Sequence, residues 1–191
     1  MKQSEIAKQL TDQKLRKAVV FSQILLLLIS VILSFILFER FADWINLFTV
    51  NLKEIVYFGI VPGIVIVLID LIMISSLSNS YYDDGGINKR IFTNISLPKI
   101  FLITLLVAVS EELLFRGVLQ TNYGYLIASI TFALVHVRYL RKPILLISVL
   151  LVSFVIGYIY IITGSLVVTI TTHFLIDFLL GLLIRYKIWG D

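Results

Sequence analysis

The chain has 191 residues, 59% of them hydrophobic and only 15% charged, and its mean hydropathy is +1.01; ordinary soluble domains carry about 25% charged residues. That composition excludes a water-soluble globular domain and makes lipid the expected solvent. The net charge of +4 excludes little by itself. However, the basic residues sit in the connections between apolar runs, where membrane orientation accounts for them and nucleic-acid binding is not needed.

The first 18 residues are polar and basic, with Lys2, Lys8, Lys14, Arg16 and Lys17. They are not expected to be the start of a cleaved leader. The apolar run from Val19 to Phe38 is too long for one and ends in Glu39-Arg40-Phe41 instead of small residues. It reads as a retained span, because about 20 residues at 1.5 Å each cross a hydrocarbon core of roughly 30 Å. The same criterion marks six spans in all, near residues 19–38, 55–75, 99–119, 122–140, 143–163 and 165–185. Thr121-Asn122 is the expected turn between the third and fourth. Pro143 suits the first turn of the fifth, and Thr163-Gly164 leads into the sixth. Two connections are long: 39–54, and 76–98 with its turn formers Asn79, Ser80, Asp83, Asp84, Gly85, Gly86 and Pro98.

The expected architecture is an all-α integral membrane protein of about six transmembrane helices. It divides into a cytosolic basic segment (1–18), two accessory helices with their loops (19–98) and a four-helix core (99–191). With the N-terminus in the cytosol, Lys89, Arg90, Lys99, Arg138, Arg141, Lys142, Arg185 and Lys187 all fall inside, and the outer turns at 120–122 and 163–165 carry no Lys or Arg. This positive-inside pattern places both termini in the cytosol.

An ionisable group inside a span is expensive and so points to function. The candidates are Asp70, Glu111, Glu112, Arg116, His136, His173 and Asp177, which include both histidines of the chain. Glu112 and Arg116 are four apart on one helix face, and a buried guanidinium keeps its charge and needs an anion. Glu112 is therefore assigned to Arg116. Glu111 points about 100° away and is left to act as a general base or acid; a purely structural clamp of all three is the alternative. His136 follows Phe132 by four, so the ring can flank the imidazole. Alone it would pass for an interhelical hydrogen-bonding group. His173 and Asp177 share a face and could equally satisfy only each other. As a set the residues carry more weight. At 1.5 Å per residue, Glu111 and His173 lie about 18 Å from the cytosolic end, Asp177 about 12 Å and His136 about 7–9 Å. A single cavity can gather them, and two imidazoles plus a carboxylate can hold and activate a water, with a nearby donor for the oxyanion. There is no His-Glu-x-x-His zinc motif, nucleophile elbow or phosphate loop.

Ser110-Glu111-Glu112-Leu113-Leu114-Phe115-Arg116-Gly117 matches the Glu-Glu-x-x-x-Arg motif of the CPBP family, the CAAX proteases and bacteriocin-processing enzymes also called Abi. Phe132 to His136 resembles its Phe-x-x-x-His motif, and His173 to Asp177 its His-x-x-x-Asn motif, in the right order over roughly residues 101–185. The resemblance implies an intramembrane endopeptidase acting on a membrane-associated protein or peptide. In such an enzyme Glu111 activates water with help from His136, His173 and Asp177 stabilise the oxyanion, and Glu112 and Arg116 support the site. Asp177 departs from the family's Asn, and an Asp donates to an oxyanion only when protonated. The expected chemistry is free of cofactors and metal, with zinc as the alternative. Bacteriocin maturation or self-immunity in a bacterial cell membrane is the expected setting. The Ile-, Lys- and Asn-rich composition points to an AT-rich bacterial genome. The rivals are a non-enzymatic immunity protein that binds a peptide toxin and, lower, a proton-coupled transporter.

Overall fold

The computed structural model describes residues 9–40, 42–76, 84–140 and 142–186. Lys2, Lys8, Arg141 and Lys187 of the basic pattern, and Asn79, Ser80 and Asp83 of the expected turn, lie outside those residues. Among the described residues every regular element is helical. The long helices are α1 (Asp12–Leu37), α3 (Leu52–Glu54 running through a π-helical Ile55–Ile60 into Val61–Ser76), α5 (Leu97–Glu112 running through a π-helical Leu113–Gln120 into Thr121–Tyr123), α6 (Tyr125–Val135), α7 (Pro143–Thr163) and α8 (Leu166–Arg185). Two short helices, α2 (Asp43–Leu47) and α4 (Ile87–Phe92), lie in the two long connections.

The termini follow local chemistry. Thr11 caps α1 by accepting from the Lys14 N–H, and Asn51 accepts from the Lys53 and Glu54 N–H groups to start α3. Prolines stand in the first turns of α5 and α7. The step between α5 and α6 differs from expectation. The chain does not turn at Thr121-Asn122 but stays helical to Tyr123 and breaks at Gly124, whose φ of +85° only glycine adopts without strain.

A helix lies at each of the six expected segments. By length and composition four can cross a membrane unaided: α1, Leu52–Met73 of α3, α7 and α8. The fourth segment, expected over 122–140, is a helix of 11 residues, about 16 Å long and half of a bilayer core. It stops because His136 leaves helical geometry (φ −78°, ψ 56°) and opens a 3₁₀ turn over Val137–Tyr139.

α1 is inverted relative to a helix of a soluble protein. The buried positions of α1 beyond its first turn are Gln23, Ser30 and Ser34, while Phe21 and Phe35 are 70% and 74% exposed. Contiguous apolar surface on this scale calls for lipid. Interiors of small and hydrogen-bonding residues are what hold helices together there. Gly59 and Gly63 of α3 show this. A Cβ at Gly63 would stand 3.2 Å from the Thr172 carbonyl and from the Leu175 side chain, and one at Gly59 would stand 3.3 Å from Thr171. α3 therefore lies close against α8 along the stripe Gly59, Gly63 and Val67.

The two ends of the bundle differ in charge. At one end Arg16 donates to the Arg90 carbonyl at 3.0 Å, Arg90 pairs with Asp12 at 2.7 Å, and Arg138 reaches Asn88 at 3.3 Å and Asp84 at 3.9 Å. At the other end Trp44 packs on Phe38 with ring centroids 5.1 Å apart, Ser165 donates to the Thr49 carbonyl at 2.6 Å, and the Thr121 and Tyr160 hydroxyls meet at 2.9 Å.

Candidate active site

The site grows from the junction where α5 widens from α-helix to π-helix. Glu111 and Glu112 are the last two α-helical residues, and Arg116 lies in the π segment that follows. A π turn re-aims side chains and is often found at functional sites. Glu112 and Arg116 are completely buried, with the guanidinium Nε 3.4 Å from Glu112 Oε2. The other arginine nitrogens donate to the Ser153 carbonyl and hydroxyl at 3.1 and 2.8 Å, to Ser129 at 3.4 Å and to Gln120 at 3.3 Å. The guanidinium carbon stands 5.4 Å from the centroid of the Phe132 ring. One cation thus ties α5 to α6 and α7. Gly157 leaves room for it: a Cβ there would stand 3.0 Å from an arginine nitrogen, 2.9 Å from the Ser129 hydroxyl and 2.8 Å from the Tyr125 ring.

The second oxygen of Glu112 lies 2.9 Å from Nδ1 of His173. A carboxylate only accepts, so Nδ1 carries the hydrogen and Nε2 faces the other way. There Nε2 lies 3.9 Å from Glu111 Oε2 and 3.7 Å from Asp177 Oδ2. These gaps exceed direct hydrogen-bond range. Glu111 has one oxygen fixed and one unspent. Gln23 of α1 donates to Oε1 at 3.1 Å, while the buried Oε2 makes no hydrogen bond. The amide is itself held, because the Ser110 hydroxyl donates to its oxygen.

His136 approaches from the end of α6. The Phe132 carbonyl lies 2.8 Å from Nδ1 and accepts from it, so Nε2 is the acceptor of the neutral ring. The Phe132 ring contacts both imidazoles, with centroids 5.0 Å from His136 and 5.9 Å from His173. His136, His173, Asp177 and Phe132 line one cavity of about 200 Å³, together with Asp70 of α3 and Ser148 of α7. Glu111 is not on its wall but lies 3.9 Å from His173, which is. Among the described residues no three His, Asp or Glu side chains group so as to hold a metal ion.

The residues singled out from sequence therefore come together in one place, with Glu112 on Arg116 and Glu111 free of it, as the helix spacing implies. His136 does so as the residue that ends α6 and not as one inside a longer helix. Gln23 was missed. Its signal was available, since it is an amide within the apolar run 19–38 and such groups are placed at a cost. Asp70, noticed but given no role, shares the cavity.

Residues 93–179 match the family described as type II CAAX prenyl endopeptidase Rce1-like. A Bacillus subtilis (strain 168) protein described as uncharacterized protein YpbD is 39% identical over 166 residues, which cover 87% of this chain and 88% of that protein. No solved structure matches the chain.

Proposed function

The chain belongs to the Rce1-like family of type II CAAX prenyl endopeptidases, and from that premise we propose that it hydrolyses a peptide bond of a membrane-associated protein or peptide, with Glu111 as the base that activates water. One observation carries the assignment: Glu111 Oε2 is buried, makes no hydrogen bond and faces His173 Nε2 at 3.9 Å, whereas Glu112 Oε2, also without a hydrogen bond, lies against the Arg116 guanidinium at 3.4 Å. A water bridging the two loses its proton to Glu111 as its oxygen attacks the substrate carbonyl; the same proton then passes to the leaving amine. His136, on the wall of the same cavity, offers an Nε2 acceptor that orients that water. His173, when protonated, and Asp177 in its acid form donate to the oxyanion. Glu112 holds His173 in position through Nδ1, and Arg116 holds Glu112. The mechanism needs no metal, and the spacing of the donors supports that reading. The organisation we infer is six passes with both termini cytosolic, two accessory helices (19–98) beside a four-helix core (99–191), in a bacterial cell membrane. Bacteriocin maturation or immunity remains one biological setting for such a peptidase.

The test uses purified chain in liposomes with a farnesylated peptide ending in a CAAX-type sequence. Cleavage that yields a new carboxyl terminus, persists in strong chelator and accompanies less than stoichiometric zinc is expected. Zinc at one atom per chain, lost and regained with activity, would remove the metal-free mechanism. In that case Glu111, His136 and His173 become the ligand candidates. Cysteines placed at Asn88 and Asn46 test the topology, since the impermeant maleimide should reach only Asn46 in intact cells.

A further inference from the structure

Asp70 is a carboxylate inside a membrane-spanning helix for which the mechanism has no use. The α3 stripe aims it at the site. Gly59, Gly63, Val67 and Asp70 follow one another at helical spacing. The first two touch Val168, Thr171, Thr172 and Leu175 of α8, and Val67 packs with Ile176. α3 and α8 run side by side in the same direction. This register brings Asp70 to the level of Leu180, about one helical turn nearer the basic end than Asp177. Asp70, Leu180 and Asp177 all line the one cavity.

The carboxylate is poorly spent where it stands. The Ser148 hydroxyl of α7 donates to it at 3.5 Å, the outer limit of a hydrogen bond, and a carboxylate has about four acceptor positions. Among the described residues no cation pairs with it. Arg138, beyond the end of α6, is engaged by Asp84, Asn88 and the Tyr139 hydroxyl. The neighbouring walls are apolar, with Met73, Leu145 and Val149. A negative charge in such surroundings is costly unless something positive arrives.

We propose that Asp70, with Ser148 beside it, is a subsite for a basic side chain of the substrate. This rests on the peptidase reading above and adds a sequence preference to it. A turn of offset corresponds to about two residues of extended peptide, so the Lys or Arg lies within roughly three residues of the cut bond. A carboxylate of the substrate at the same level is rejected.

The test is a ladder of farnesylated peptides in which Lys, norleucine or Glu is moved one position at a time. Cleavage is measured with the wild type, and binding is measured by fluorescence anisotropy with Glu111→Gln. The wild type should prefer Lys over Glu by about tenfold or more at one position near the cut, the scale of losing a buried charge partner. Glu111→Gln should show the same preference in binding. Asp70→Asn should collapse that ratio towards one, and Asp70→Lys should reverse it. Cleavage with no charge preference, or a preference that survives in Asp70→Asn, overturns the subsite and leaves the peptidase standing. A binding preference that depends on Asp70, without any cleavage, overturns the peptidase and keeps the subsite.

Discussion

Two adjacent glutamates on one helix are treated in opposite ways. Glu112 is sealed: its carboxylate lies between Arg116 at 3.4 Å and His173 at 2.9 Å with no exposure at all. Glu111 is tethered on one oxygen by Gln23, and its other oxygen is left without a hydrogen bond. The contrast separates holding from reacting. Each carboxylate has a buried Oε2 without a hydrogen bond, but that of Glu112 lies 3.4 Å from the Arg116 guanidinium and spends its charge there, whereas that of Glu111 stays an acceptor in reserve. The 100° between successive helical residues lets one pair of side chains do both within a single turn.

The sealed side should break hardest. Glu112→Gln leaves the Arg116 guanidinium buried without its anion, which costs about 3–5 kcal/mol. Little folded protein is expected in detergent extracts by size-exclusion chromatography. A well-folded Glu112→Gln that is merely inactive would mean that Glu112 reacts and does not hold.

On the open side, Asp177 distinguishes a donor from a charge. Asp177→Leu removes the donor to the oxyanion and should lower cleavage by about 10²-fold while the protein still inserts. Asp177→Asn keeps a donor and should retain most activity. An inactive but folded Asp177→Asn would show that the negative charge is required to orient His173.

Packing sharpens the same contrast. Gly157→Ala forces a methyl to within 3.0 Å of Arg116 and closer still to Ser129 and Tyr125. It should destabilise the fold by about 1–3 kcal/mol, visible as a lower unfolding temperature. The smallest effect is expected at the tether. Gln23→Leu frees Glu111 Oε1 and should reduce kcat by about tenfold, the equivalent of one net hydrogen bond to a charged group, with KM little changed and Gln23→His partly restoring the rate. Loss in KM alone would place Gln23 in substrate binding.

What could be read from the sequence follows from how each feature is written there. Glu111, Glu112, Arg116, His136, His173 and Asp177 were visible because charge in an apolar helix is rare, and i to i+4 spacing paired Glu112 with Arg116, though not His173 with Glu112, which comes from another helix. The end of α6 at Val135 was not visible, since Val137, Tyr139 and Leu140 continue the apolar pattern after the backbone has turned at His136. The break at Gly124 was missed because Thr121 and Asn122 look equally turn-prone. Neither π segment is announced by hydropathy. The approach of Gln23 to Glu111, and of Asp70 to the cavity, depends on how α1 and α3 dock. Small residues fix that docking, and their partners are not encoded nearby in the chain.

The most direct test of the account is the cleavage rate of Glu111→Gln under saturating substrate, beside a measure of its folding. The substitution keeps shape and removes the proton acceptor. The account predicts a folded protein, binding substrate as the wild type does, with kcat lowered by about 10²-fold or more. A folded Glu111→Gln that cleaves within a few-fold of the wild type would contradict it.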